Sequence, residues 1–495
     1  MTTTTAFPND RRARGLAIES KYENFGAAGT KFRPVRVAVI GLGEDGVTYI
    51  TAKAQVFSAR AVGEVYGYKS ELYGAVSQLL PVNGDGVGSI PVTVYPIAQP
   101  VVGPVKAAGI IAVTGSTATK AEVYKIKINN VAALDVVTAV GDKVADFCDK
   151  AVEAINAVIG IPMTATDGDT HVDLTAGWSG ATGNDLHIDI LRPADAEFSY
   201  TLTQPTGGAG TISLAAALAQ VGGIWETHIV NCAGPVTAIL NELQDFGVGR
   251  DLPEVHKPCV AISGINTTSV VTCAAITDAR KTDYVNNLEP NPGSNDMPWV
   301  IAARATFRMA KSGNSDPATD YCLQKLNGLT PGPDGDQWTS AQRDYAVKKG
   351  LSTVEVIDGV VCMSDTVTMY HPTGEEPPAY AYVCDLQKLG TVIYNDDLIF
   401  GQGGGWPGAP LVPDNQAVKN PNAKKPKMGL SALSKLDDTL ADDAIISDPD
   451  FSRANSSVGI GTSNPKRFDV VHKVKLSGNA NVISINLSFG FYYGV

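Results

Sequence analysis

The stretch VRVAVIGLGEDG, residues 35–46, decides how the chain is read. Its first half is rich in valine and isoleucine and stops at Gly41, the pattern of a strand. Residues 48–61 then predict a helix, so Gly41, Gly43 and Gly46 form a GxGxxG turn between the two. Such glycines let a backbone approach a pyrophosphate, and Glu64 follows about twenty residues on, so an NAD-type oxidoreductase is one function the stretch admits. Glu44 and Asp45 argue against it. They set two carboxylates beside the diphosphate position, where donors and positive potential are needed. A structural turn of an α/β core, with no cofactor, is the favoured reading.

Outward from this turn, Leu72, Tyr73, Val76, Leu79 and Leu80 take the spacing of one helical face over 70–80, ended by Pro81, and Val92, Val94 and Tyr95 make another strand. From about 104 to 205 the composition turns to Thr, Ala, Val and Gly, with alternation at Tyr124, Ile126 and Ile128 and at Leu186, Ile188 and Ile190. One helix interrupts it over 141–158. Helix-like and strand-like segments alternate again from 210 to 310, with strands at 227–231 and 259–263 and a helix at 299–310. The expected fold is therefore mixed α/β and β: a split α/β domain (35–103 and 206–325) carrying an inserted β-rich domain (104–205), then a C-terminal α+β domain (326–480). That last domain is expected to hold a helix at 340–349, strands at 354–357, 360–369 and 379–383, and a Gly/Pro-rich loop from Gly401 to Lys427.

Both ends read as arms. Residues 1–34 show no sustained period. At the other end, in 481–495, Ile483, Ile485, Leu487, Phe489 and Phe491 alternate strictly with Ser484, Asn486, Ser488 and Gly490. That predicts a strand with one apolar face. Isolated strands are marginal in water, so this one needs an edge, and the edge can belong to another subunit.

The 495 residues carry a net charge of -12, which argues against a nucleic-acid binder, since phosphate neutralisation needs a field of lysine and arginine. No apolar run is long enough to span a bilayer and the first residues lack the apolar core of a secretory signal, so cytoplasmic synthesis and no membrane insertion are expected. Cys148, Cys232, Cys259, Cys273, Cys322, Cys362 and Cys384 include no CxxC pair, and His171, His187, His228, His256, His371 and His472 include no HExxH. The run Asp167, Asp169, Asp173 begins like a calcium loop but has Val172 and Trp178 where glycine and glutamate belong. Gly177-Trp-Ser179-Gly-Ala181 lacks the last glycine of a nucleophile elbow, and Lys424, Lys425 and Lys427 read as a solvated loop. No catalytic residue, metal or cofactor is expected, and the chain is read as a non-enzyme.

Several segments in order resemble Mu-like contractile tail sheath proteins: LNGLTPGP (326–333), RDYAVKKGLSTV (343–354), DGVV (358–361), TVTMY (366–370), AYVCDLQKLGT (381–391), NPKRFDV (464–470) and the terminal alternating strand. VAVIG (37–41) and YGYKSEL (66–72) are similar to the family's first strand and its aromatic-Gly-x-x-Ser motif, and the insertion to its protrusion. The resemblance implies a virion-tail subunit, assembled in the host cytoplasm, that stacks in hexameric rings around a tail tube and contracts to drive the tube through the host envelope. Baseplate and tail terminator proteins are its implied further partners. It also implies that an N-terminal arm bearing Phe7, Ile18, Tyr22 and Phe25, and the C-terminal strand, complete sheets of neighbouring subunits. After Tyr394 many members of that family continue with a basic stretch, whereas here Asn395, Asp396 and Asp397 follow, so a tube-facing positive patch is not carried over. A β-rich virion adhesin built around 104–205 is the remaining alternative.

Overall fold

Strand β1 (Val37–Leu42) is buried along all six residues, as its unbroken apolar run requires of a strand covered on both faces. The computed structural model describes residues 32–375 and 378–491. After β1 the helix expected over 48–61 does not form. Residues 47–53 are irregular, β2 (Ala54–Val56) follows, and α1 (Ala59–Tyr66) starts only after its N-cap Ser58 accepts the Ala61 amide. The β-branched Val47, Thr48, Ile50 and Thr51 disfavour a helix, and Tyr49 is tied back to the loop by its hydroxyl. Gly67, at φ 90°, turns the chain into α2 (Glu71–Leu79), capped by Ser70, and β3 (Val92–Ile97) returns beside β1.

The chain then builds two antiparallel sheets. β4 (Lys106–Thr114), β8 (Met163–Asp167), β9 (His171–Ser179) and β11 (Ser199–Thr206) pair in the order β11-β4-β9-β8. β5 (Glu122–Ile128), β6 (Val131–Ala132), β7 (Val136–Thr138) and β10 (Ile188–Leu191) form the other, joined at β5. Asn129 and Asn130, both at positive φ, make the two-residue turn from β5 to β6. Helix α3 (Val144–Ala157) buries Phe147 edge-on against Tyr124, with centroids 4.9 Å apart.

Back in the core, α4 (Ala215–Ala219), β12 (His228–Asn231), α5 (Thr237–Asp251), β13 (Val260–Ile265), α6 (Val270–Asp278), β14 (Asn286–Pro290) and α7 (Pro298–Ser315) complete a six-stranded sheet. Its order is β14-β13-β12-β1-β3-β2, parallel except for β2. The parallel strands thus wind outward in both directions from β1, which puts a topological switch point between β1 and β12. Gly264 in β13 lets α7 approach: a Cβ there would lie 1.9 Å from the Pro298 carbonyl oxygen, a backbone atom that has nowhere to go. Gly264→Ala is expected to lower stability by about 3 kcal/mol or more through overpacking, read as a drop in the urea midpoint. An unchanged midpoint would contradict this close helix–sheet contact.

Beyond α7, α8 (Ser340–Val347) leads to the hairpin β15 (Thr353–Ile357) and β16 (Val360–Asp365), turned at Asp358-Gly359 with both φ positive. The strand expected over 379–383 is replaced by an isolated bridge between Val367 and Tyr382, and Val383 opens the long α9 (Val383–Phe400). The chain divides into two units, one of Phe32–Asp396 with the segment from Leu476, the other of Asp397–Lys475. The second unit holds α10 (Pro426–Asp442), β17 (Ile446–Ser447), α11 (Pro449–Asn455) and the hairpin β18 (Ser457–Ile460) with β19 (Phe468–Val471). Trp406 and Phe468 stack there with centroids 4.5 Å apart. The fold is mixed α/β with several sheets.

Candidate functional site

In a doubly wound sheet a ligand belongs in the crevice beyond the carboxyl ends of the strands at the switch point. Here the chain fills that crevice itself. Glu71, fully buried at the start of α2, accepts the Leu42 amide at 2.9 Å and the Thr182 hydroxyl at 2.5 Å, and Thr182 accepts the Trp178 indole N–H at 2.9 Å. Thr182 and Trp178 belong to the β4–β11 region, so this region plugs the crevice. Burial pushes the Glu71 carboxyl up to about 8, with Thr182 and Leu42 pulling it down and Asp185 raising it.

The glycine loop is consumed in the same way. The Gly43 amide donates to the Tyr49 hydroxyl (3.2 Å), which donates to the Ile97 carbonyl (2.8 Å); the Glu44 amide goes to the Tyr66 carbonyl and the Asp45 amide to the Gly177 carbonyl, both at 2.7 Å. A Cβ at Gly43 would strike the Tyr49 ring and one at Gly41 would meet Cys232, so these glycines admit side chains of the protein itself. Asp45 pairs with Lys106 at 3.0 Å. The β4–β11 region is docked at further points: Trp178 lies edge-on to Trp299 at 5.2 Å, Lys69 Nζ donates to Thr164 Oγ1 at 2.6 Å, and Asn130 Nδ2 donates to the buried Asp296 at 2.8 Å.

The C-terminal segment is the opposite case, because it is rooted and then left uncovered. Its root rests on α9, where Lys388, with no exposed surface, donates to Asp385 Oδ1 (2.9 Å), the Ser477 carbonyl (2.6 Å) and Asn479 Oδ1. Asn479 in turn donates to the Ala318 carbonyl at 3.0 Å. Over the described residues beyond Asn481, 482–491, no strand forms, and Ile483, Ile485, Leu487, Phe489 and Phe491 are 76–83 % exposed. The period-2 pattern is present but the chain pairs it with nothing among the described residues. Phe7, Ile18, Tyr22 and Phe25 lie outside the described residues.

Other sequence candidates resolve into ordinary structure. Asp167 accepts the Asp169 amide in a tight turn at the β8–β9 junction, and among the described residues no group of three or more His, Cys, Asp or Glu is placed to hold a metal. Burial lowers His228 to about 3, so it is neutral beside Gln387 Nε2. Six of the cysteines are buried, Cys322 is exposed, and all are free thiols. Lys424 lies over the Trp406 ring at 5.5 Å. No helix among the described residues is long and apolar enough to cross a membrane. Sequence reasoning missed Glu71, Lys388 and Arg33, although Glu71 and its cap Ser70 lie inside YGYKSEL, and Lys388 inside AYVCDLQKLGT.

No family model matches the chain. It is 26 % identical over 302 residues to a Mu-like prophage FluMu tail sheath protein of Haemophilus influenzae, covering 58 % of this chain and 60 % of that relative's length. Among solved structures it is similar to a sheath tail protein from Listeria innocua (TM-score 0.48, 13 % identity, 91 % of this chain and 94 % of that one). A sheath tail protein from Desulfitobacterium hafniense gives TM-score 0.47 at 14 % identity, over 90 % and 93 % of the two chains. The resemblance to Mu-like tail sheath proteins read from the residues is thus met again in the curated relative, itself a sheath protein.

Proposed function

We propose that the chain is a structural, non-catalytic subunit of a contractile phage-type tail sheath, polymerising with copies of itself around a tail tube. The observation that carries this reading is the rooted, uncovered end with its strictly alternating apolar face, on a chain similar to a Mu-like sheath protein. A strand of that pattern is completed by an edge on another subunit, and strand addition supplies both main-chain hydrogen bonds and pockets for alternate side chains. The hairpin β18–β19 is a suitable acceptor, since no further strand among the described residues pairs with it. Repeated head to tail, such a contact builds an open helical polymer.

In the finer form of the proposal the subunits stack as hexameric rings, the N-terminal arm with Phe7, Ile18, Tyr22 and Phe25 adds a second link, and residues 104–205 form the outer protrusion. Contraction then drives the tube through the host envelope, with the baseplate and tail terminator at the two ends and assembly in the host cytoplasm. The oxidoreductase alternative is disfavoured by the loop amides and the switch-point crevice, which the protein's own groups occupy. Negative-stain electron microscopy of the chain expressed alone tests the proposal. Hollow tubes with a helical surface are expected; particles that stay monomeric or dimeric at high concentration, with a melting temperature raised by NAD, would remove it.

A further inference from the structure

The two ends of the body meet on one helix. Arg33, 5 % exposed and just ahead of β1, donates through Nη2 to Gln387 Oε1 and lies over the Trp225 ring at 5.2 Å. Its guanidinium rests directly on the backbone of α9: a Cβ at Gly390 would come within 2.4 Å of Nη1. A glycine inside a helix costs about 0.5–1 kcal/mol relative to alanine, and here the missing Cβ makes room for the arginine. Burial lowers Arg33 to about 10, so it stays cationic at neutral pH.

One residue after Gln387, Lys388 holds the other end. An ammonium has three protons to donate, and all three find acceptors here, two of them on the departing segment at Ser477 and Asn479. Taking a charge out of water is costly unless every donor is met, so this site is fixed in geometry only while the segment is in place. Cys384, one turn earlier, also touches Asn479 Oδ1 at 3.7 Å.

We infer that α9 is the common mooring of both chain ends, with Arg33 and Lys388 as the positioning residues that fix where each end leaves the body. Resting on the sheath reading for its consequence, this makes α9 the element through which a link to one neighbour is joined to the link to another. Hydrogen exchange on the purified full-length chain tests the mooring without any polymer. Lys388→Met is expected to speed exchange of amides 477–481 at least tenfold while the amides of β1 and β12 keep their protection, and Lys388→Arg to restore part of it. Asn479→Ala, which removes the acceptor from the segment while keeping Lys388 itself, is expected to do the same. Gly390→Ala is expected to speed exchange at 33–36 by dislodging Arg33. Unchanged exchange at 477–481 in both Lys388→Met and Asn479→Ala would overturn the mooring. Micrographs of the wild-type chain keep the two ideas apart, because a failure to form tubes removes the sheath reading and leaves the exchange result standing.

Discussion

A chain that stops at Asn481 folds, stays soluble and forms no tubes. The body has little to lose, because the apolar residues from Val482 to Phe491 are 76–90 % exposed and the last anchoring contacts, at Ser477 and Asn479, are retained. Surface changes away from packed features stay within about 0.5 kcal/mol, so the urea midpoint should not move. Assembly should be abolished, since the removed segment carries an alternating apolar face that nothing among the described residues covers. A finer version separates pattern from length: Ile485→Asp with Leu487→Asp puts charge on the apolar face and is expected to block tubes, whereas Ser484→Asp with Ser488→Asp charges the other face and is expected to have far less effect. Normal tubes from the truncated chain would remove strand exchange as the basis of assembly.

How much of this was legible depended on where each element hides its information. Helix α2 could be read because Leu72, Val76 and Leu79 are apolar and buried at helical spacing. Helix α9 could not, because beside Val383, Cys384 and Val392 its buried residues are Gln387, Lys388, Gly390, Thr391 and Asn395, which hydropathy assigns to solvent; the first three of these are explained by their contacts with Arg33 and with residues 477–479. The order of the six-stranded sheet was hidden for the opposite reason. Val37–Leu42 and Val260–Ile265 are uniformly buried, so neither carries an alternation that would distinguish its neighbours. The glycine loop was weighed against a cofactor on the charges of Glu44 and Asp45, but the group that occupies the crevice, Glu71, is a lone carboxylate in a helix and gives no signal by itself. The terminal segment shows its alternating pattern in the sequence, but nothing among the described residues pairs with it, so the pattern by itself does not identify a partner.

Glu71→Gln should stabilise the protein, and by an amount that grows with pH. The carboxyl faces the Leu42 amide from β1, Thr182 from the β9–β10 connection, and the Cys232 and Asp185 groups, with no cation among the influences on it; Asp185 is itself raised to about 6 by burial. Desolvation therefore dominates and holds the proton on up to about pH 8, against an ordinary value of 4.5 in the unfolded chain. Below pH 4.5 both states are protonated and the group contributes no penalty. Between there and pH 8 the unfolded chain releases a proton that the folded chain keeps, so stability falls by about 1.4 kcal/mol per pH unit at most, and above pH 8 the loss stays constant at several kcal/mol. Glutamine keeps the shape and the acceptor for Leu42 but has no proton to lose. The urea midpoints of wild type and Glu71→Gln should coincide near pH 4.5, separate steadily, and run parallel above pH 8. Glu289, raised to about 7 by burial, adds a loss of the same sign in both proteins and cancels in the comparison. A gap that is the same at pH 5 and pH 9 would mean that Glu71 is ionised in the fold, and the crevice would then have to be wet enough to solvate a charge.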